Sequence, residues 1–225
     1  MTENVIQNDT NDTNNTNDTN NTNDKLVKYK EKGKKIEDKY ENPIDIILIK
    51  ISYELSPLFF KLKLTPNMIT TLSLLFTLIG INYIYNGSYK IGAIFYFIGY
   101  FFDCMDGNYA RRYQMVSKFG DYYDHIGDTI KIIFLLMCLY LIKIKKKIKI
   151  YFIIIMIIFG ILTLGHMGCQ EKQKNEKDKS VLEIFKNLCS NSDNIIYTKY
   201  FGCGTSQLII SLFIFNIKFI EKIFK

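Results

Sequence analysis

Two short stretches of this sequence place carboxylates at helical spacing. Asp103, Asp106, Gly107 and Ala110 fall at steps of three and four and share one helix face. Gly120, Asp124 and Asp128 follow at steps of four and share a face as well. If both stretches are helical, four carboxylates look into a common space flanked by residues of little bulk. Four carboxylates held away from water cannot all stay ionised without compensation. Two divalent cations would balance them, and oxygen ligands suit Mg²⁺ or Mn²⁺. Paired ions of this kind suit phosphoryl chemistry, because they neutralise a diphosphate and orient it for in-line attack. Gly107, Ala110 and Gly120 leave room for a flat nucleotide, and Arg111 can pair with a phosphate oxygen. A carboxylate not fully committed to metal can take the proton of an incoming hydroxyl.

Two other readings compete. Each Asp could cap a helix end and each Gly ease helix packing, but caps require one Asp per end rather than two on one face. Carboxylates inside a membrane also serve ion or proton transport, and charge alone does not separate that use from catalysis.

The elements that must carry these residues are apolar. Blocks at Met68–Tyr85, Ile91–Phe102, Thr129–Ile142, Ile148–Gly165 and Thr205–Ile220 predict five spanning helices, and a sixth is left open in the polar stretch between Gly165 and Thr205. Ile91–Phe102 would cover only ~18 Å of a ~30 Å hydrocarbon layer, so its helix must run on through Asp103, Asp106 and Gly107. The Thr129–Ile142 block, which contains Lys131, must likewise begin earlier and draw in Asp121, Asp124 and Asp128. The two helices are consecutive, so their acidic ends lie on one side of the membrane. Ahead of them, Ile44, Ile47, Leu48, Ile51, Leu55, Leu58, Phe59 and Leu62 predict an amphipathic helix over residues 43–62, interrupted near Pro57 and lying on the membrane surface. The fold class expected is therefore all-α integral membrane, with five to six transmembrane helices preceded by an amphipathic interfacial helix.

The composition agrees. Of 225 residues, 48% are hydrophobic and 23% charged, with a net charge of +7. Lysine runs flank apolar blocks, which favours a membrane over a nucleic acid as partner. Residues 1–41 form an Asn/Asp/Thr-rich and then Lys-rich tail that cannot bury a core, and residues 42–225 form the membrane domain. Triplets such as Asn8-Asp9-Thr10 are read as products of the repeat. The polar start carries no secretory signal pattern. Basic residues in 25–63, with Arg111, Arg112 and Lys118, place the acidic ends on the cytoplasmic side, against the opposing cluster Lys143, Lys145, Lys146, Lys147 and Lys149. The five scattered cysteines read as reduced and structural, and His166 with Cys169 is too small a set for zinc. His125 is expected in a packing or interface role, because it points about 100° away from Asp124 on a helix. Asp121 is expected at the aqueous rim.

The run Asp103-x2-Asp106-Gly107-x2-Ala110-Arg111-x8-Gly120-x3-Asp124-x3-Asp128 resembles the signature of the CDP-alcohol phosphatidyltransferases at every fixed position and gap. Leu64-Thr65-Pro66-Asn67-Met68-Ile69-Thr70 is similar to that family's lead-in to its first spanning helix. The resemblance covers roughly Pro43 to Ile142. It implies a six-helix core with an active site open to the cytoplasm, on an endomembrane such as the endoplasmic reticulum in a eukaryote. It implies that Asp103, Asp106 and Asp124 hold the metal ions, with Asp128 near them as general base. Gly107, Ala110, Arg111 and Gly120 would line the CDP site. The implied partners are a CDP-alcohol donor and a lipid or small-alcohol acceptor; a homodimer is compatible. The Asp124-His125 pair and Thr65-Pro66-Asn67 look like the branch that joins CDP-choline or CDP-ethanolamine to diacylglycerol. The short chain looks like the branch that joins CDP-diacylglycerol to a small alcohol. A non-catalytic scaffold or an ion-coupled transporter would use the same carboxylates differently.

Overall fold

The computed structural model describes residues 33–173 and 181–224. The Asn/Asp/Thr repeat, its Asn-x-Thr triplets and the first lysines of the tail lie outside the described residues. Among the described residues every regular element is a helix.

Helix α1 spans Pro43–Lys61. Asn42 starts it: the side chain accepts from the amides of Ile44 and Asp45, and Pro43 at the first position has no amide to satisfy. Its inward face carries Asp45, Leu48, Ser52 and Ser56, whereas Ile47 is 55% and Leu58 54% exposed. The helix is thus amphipathic with its small and polar stripe against the protein, and its apolar stripe turned out, as a helix in a lipid interface requires. The expected interruption at Pro57 does not occur, and the helix runs through it. Proline removes the amide that would bond Tyr53 O. Arg112 replaces that donor: Nη1 donates to Tyr53 O at 2.5 Å, and its guanidinium stacks 3.8 Å from the Tyr53 ring centroid.

Helix α2 (Pro66–Tyr85) is capped by the Thr65 hydroxyl, which accepts from Met68 N. Helix α3 spans Tyr89–Arg112 and continues through the carboxylates, as the length argument demands. The two pack antiparallel in one register. Ile84 lies opposite Gly92, Gly80 opposite Tyr96, and Thr77 opposite Gly99. A methyl group on Gly80 would stand 2.7 Å from Tyr96 N, and one on Gly92 would stand 2.8 Å from Gly80 O. Only small residues permit backbones this close. Continued for two more turns, the same register sets Ser73 against Asp103 and Thr70 against Asp106.

Helix α4 (Lys118–Leu141) is capped by Ser117, whose hydroxyl accepts from Gly120 N at 3.0 Å. It begins early enough to include Asp121, Asp124 and Asp128, and it leans on α2. Helix α5 (Lys146–Gln173) follows. Beyond it, 3₁₀ and single helical turns (Val181–Leu188, Ser192–Asn194, Ile195–Thr198, Lys199–Phe201) lead to α6 (Cys203–Phe215) and α7 (Ile217–Ile223). The main apolar core joins Ile84, Tyr96, Leu135, Phe152, Ile214 and their neighbours. It fills the end of the bundle away from the carboxylates.

By length and composition α2 and α5 can cross a membrane, and a run ending in α6 makes a third candidate if joined to α7 across its 63° bend. This is fewer than the five to six spans expected. The shortfall has two sources. Helices α3 and α4 are 24 residues each but carry the charged motif, and α6 has only 13 residues. The stretch from 165 to 205 contains short turns rather than a further long helix among the described residues.

The cysteines depart from expectation. Cys169 and Cys189 form a disulfide, while Cys104, Cys138 and Cys203 are free. Helix α5 extends past Cys169, and the Val181–Leu188 segment folds back so closely that Phe185 O crowds Gly168. No CxxC pattern could announce a pair brought together this way.

Candidate active site

The carboxylates are placed by α2 as much as by their own helices. Thr70 Oγ1 donates to Asp106 Oδ2 at 2.5 Å, and Ser73 Oγ donates to Asp103 Oδ1 at 3.3 Å. Asp106 is 5% exposed. A carboxylate so buried requires donors, and the hydroxyls at the foot of α2 supply them. Both threonine and serine lie on the buried stripe that continues through Thr77 and Gly80. Their sequence signal was a small and polar face on an otherwise apolar span.

Asp103 and Asp128 are joined across α3 and α4 by Lys131. Its Nζ bonds Asp103 Oδ1 and lies 2.9 Å from Asp128 Oδ1. The remaining carboxylate, Asp124, keeps Oδ1 buried with no hydrogen-bond partner, and so does His125 Nε2. One ligand atom from each of Asp124, His125 and Asp128 lies within 4.8 Å of the others. Three steps separate His125 from Asp128, so the ring reaches the cluster from that side although it diverges from Asp124. His125 therefore stands with the acids rather than serving only to pack, and it also approaches Asp121 at 3.6 Å. A buried carboxylate oxygen without a hydrogen bond, converging with a second carboxylate and an imidazole, fits a divalent cation.

The residues expected around a nucleotide lie at the same end. Arg111 Nε donates to Gly33 O at 2.8 Å, and its Nη1 would stand 3.2 Å from a methyl group on Gly107. The arginine thus covers the bare face of Gly107. A methyl group on Gly120 would stand 3.2 Å from Asn67 Oδ1, so that glycine lets α4 approach the start of α2. Ala110 lies one residue before Arg111 on the same last turns of α3 and is partly buried.

A second polar cluster ties the start of α1 to α5 and α6. Asn42 Nδ2 donates to Lys199 O and to Thr205 Oγ1. Asp45 accepts from Tyr100 OH at 2.6 Å and from Gly204 N at 3.2 Å. Glu41 accepts from Asn42 N and from Gln170 Nε2, which also contacts His166. Burial, together with the nearby Asp45, pushes the Glu41 carboxyl up. His166 Nδ1 meets Thr198 Oγ1, and Cys169 is spent on its disulfide, so neither is directed at a common ligand.

A helical membrane protein with motif carboxylates from two helices gathered at one end of its bundle is the class that fold and site define. Residues 63–216 match the family model of CDP-alcohol phosphatidyltransferase, and the chain belongs to that family. Comparison with curated proteins and with solved structures returned no match. Membership makes the chain a membrane-bound transferase of phospholipid biosynthesis.

Proposed function

We propose that this protein transfers a phosphate-linked group from a CDP-alcohol to an acceptor hydroxyl and releases CMP. The pairs open to it are CDP-diacylglycerol with a small alcohol, and CDP-choline or CDP-ethanolamine with diacylglycerol. The observation that carries this reading is the gathering of Asp103 and Asp128 around one ammonium beside the unpartnered Asp124 Oδ1.

In this reading Asp103, Asp106, Asp124 and Asp128 hold two divalent cations, Mg²⁺ or Mn²⁺, with His125 close to the second pair of acids. When bound, the ions neutralise the diphosphate and stabilise charge on the leaving phosphate. Gly107, Ala110, Arg111 and Gly120 receive the CDP group. The acceptor oxygen bonds to the β-phosphorus as its bond to the CMP oxygen breaks, and Asp128 takes the hydroxyl proton. Thr70 and Ser73 fix the rotamers of Asp106 and Asp103 so that the acids are pre-set for their ligands.

The topology follows from the same reading. Helices α3 and α4, at 24 residues each, are ~36 Å long and cross the membrane with their acids at one interface. With α2, α5 and the bent run through α6 and α7 that makes five spans, α1 lying along the surface. The carboxylate end faces the cytoplasm, and the membrane is the endoplasmic reticulum or a similar endomembrane if the cell is eukaryotic. The test is a lipid-product screen by mass spectrometry on purified protein with Mg²⁺ or Mn²⁺. CDP-diacylglycerol, CDP-choline and CDP-ethanolamine are supplied in turn with candidate acceptors. One donor should yield a phospholipid; no product from any of them would overturn the reading.

A further inference from the structure

The family motif accounts for four carboxylates but not for Lys131. This residue lies one turn beyond Asp128, in the apolar part of α4, and is 8% exposed. Burying a lysine there is costly in solvation and in side-chain freedom. A packing role would be met by leucine or methionine without that cost. The ammonium instead reaches back to Asp128 Oδ1 and across to Asp103 Oδ1. It stands where a cation shared by α3 and α4 would stand. Asp124 Oδ1 has no such donor.

We propose that Lys131 is a resident counter-cation that divides metal loading into two unequal steps. The first divalent ion enters the group formed by Asp124, His125 and Asp128. The second is held by Asp103 and its neighbours, and binds only by displacing the ammonium. The inference rests on the reading of these acids as a divalent-cation site and adds to it the order and spacing of the two affinities. Removing one positive charge at contact distance from the second position should raise its affinity by about tenfold or more.

The experiment is Mn²⁺ titration of the purified full chain without nucleotide, read as free Mn²⁺ by electron paramagnetic resonance. The wild type should bind one ion tightly and a second at least about tenfold more weakly. Lys131→Met should tighten the second step by about tenfold or more and the first by clearly less, because the ammonium touches only Asp128 of the first group, so the gap between the steps narrows. Lys131→Gln reads the same quantity if the methionine variant does not fold, and Lys131→Arg, which keeps the charge, should keep the gap. Asp124→Asn should remove the tight step. Two equal steps in the wild type, or steps in Lys131→Met and Lys131→Gln that match the wild type, would overturn the inference while CMP release leaves the transferase reading intact. A wild type that binds no Mn²⁺ and releases no CMP would overturn both.

Discussion

The hydroxyl of Thr70 donates to Oδ2 of Asp106 at 2.5 Å, from a helix that contributes none of the four motif acids. The contact exists because α2 and α3 keep one antiparallel register, fixed at its other end by the close approach of Gly80 and Gly92. Thr70→Val preserves shape and removes the donor. CMP release should fall by about 10–100-fold, the usual cost of losing an outer partner to a metal ligand. Ser73→Ala should cost less, because its bond to Asp103 is 3.3 Å and Lys131 shares the same oxygen. Kinetic assays at saturating and limiting Mn²⁺ check both.

Pro57 and Arg112 form a compensating pair across α1 and α3. Arg112→Ala should destabilise the protein by about 1–3 kcal/mol, because Tyr53 O loses the donor that replaces the missing helix amide. Pro57→Ala restores an amide four residues after Tyr53. In that background Arg112→Ala should cost less, with a coupling of at least ~0.5 kcal/mol in a double-mutant cycle of thermal unfolding. Purely additive losses would show that the arginine acts only by stacking on Tyr53.

Glu41 predicts a pH dependence outside the site. Burial raises its folded pKa above the unfolded value, so the folded state keeps the proton longer. Above about pH 4.3 the unfolded state then binds fewer protons, and stability falls as pH rises toward the folded pKa. Glu41→Gln keeps the acceptor for Asn42 N and removes the charge. Its unfolding temperature should match the wild type near pH 4 and exceed it at neutral pH, by about 2–4 °C for each kcal/mol relieved. Thermal scans across pH measure the gap.

The Cys169–Cys189 bond closes a 20-residue separation at the carboxylate end of α5. Non-reducing peptide mapping of purified, air-oxidised protein should find these two cysteines linked and Cys104, Cys138 and Cys203 free. Reduction should lower stability by about 3 kcal/mol on the chain-entropy account. The cytoplasmic placement proposed for this end keeps the pair reduced in the cell, so mapping after thiols are blocked in intact cells should find both cysteines free, and a linked pair there would overturn that placement.

The four acids and the helices that carry them were legible because carboxylates at steps of three and four are a periodic signal that needs no partner. The early start of α4 and the long run of α3 followed from bilayer thickness alone. What surrounds the acids was not legible. Thr70 and Ser73 matter through a register between two helices, and a register is a pairing that single-helix periodicity does not encode. Lys131 looked like one charge in an apolar run until α3 was placed beside it. The angle of His125 to Asp124 does not show that Asp121 and Asp128, four and three steps away, lie within its reach. The continuity of α1 through Pro57 depended on an arginine 55 positions further along the chain. The disulfide depended on a fold-back after α5 that composition does not mark.

CMP release from the donor that the product screen identifies, measured for wild type and Asp128→Asn at saturating Mn²⁺, tests the shared site most directly. The wild type should turn over, and the variant, folded and with an unfolding temperature close to the wild type, should lose about 10²-fold or more. Undiminished release by Asp128→Asn would contradict the assignment of the hydroxyl proton to that carboxylate and, with it, the shared site between α3 and α4.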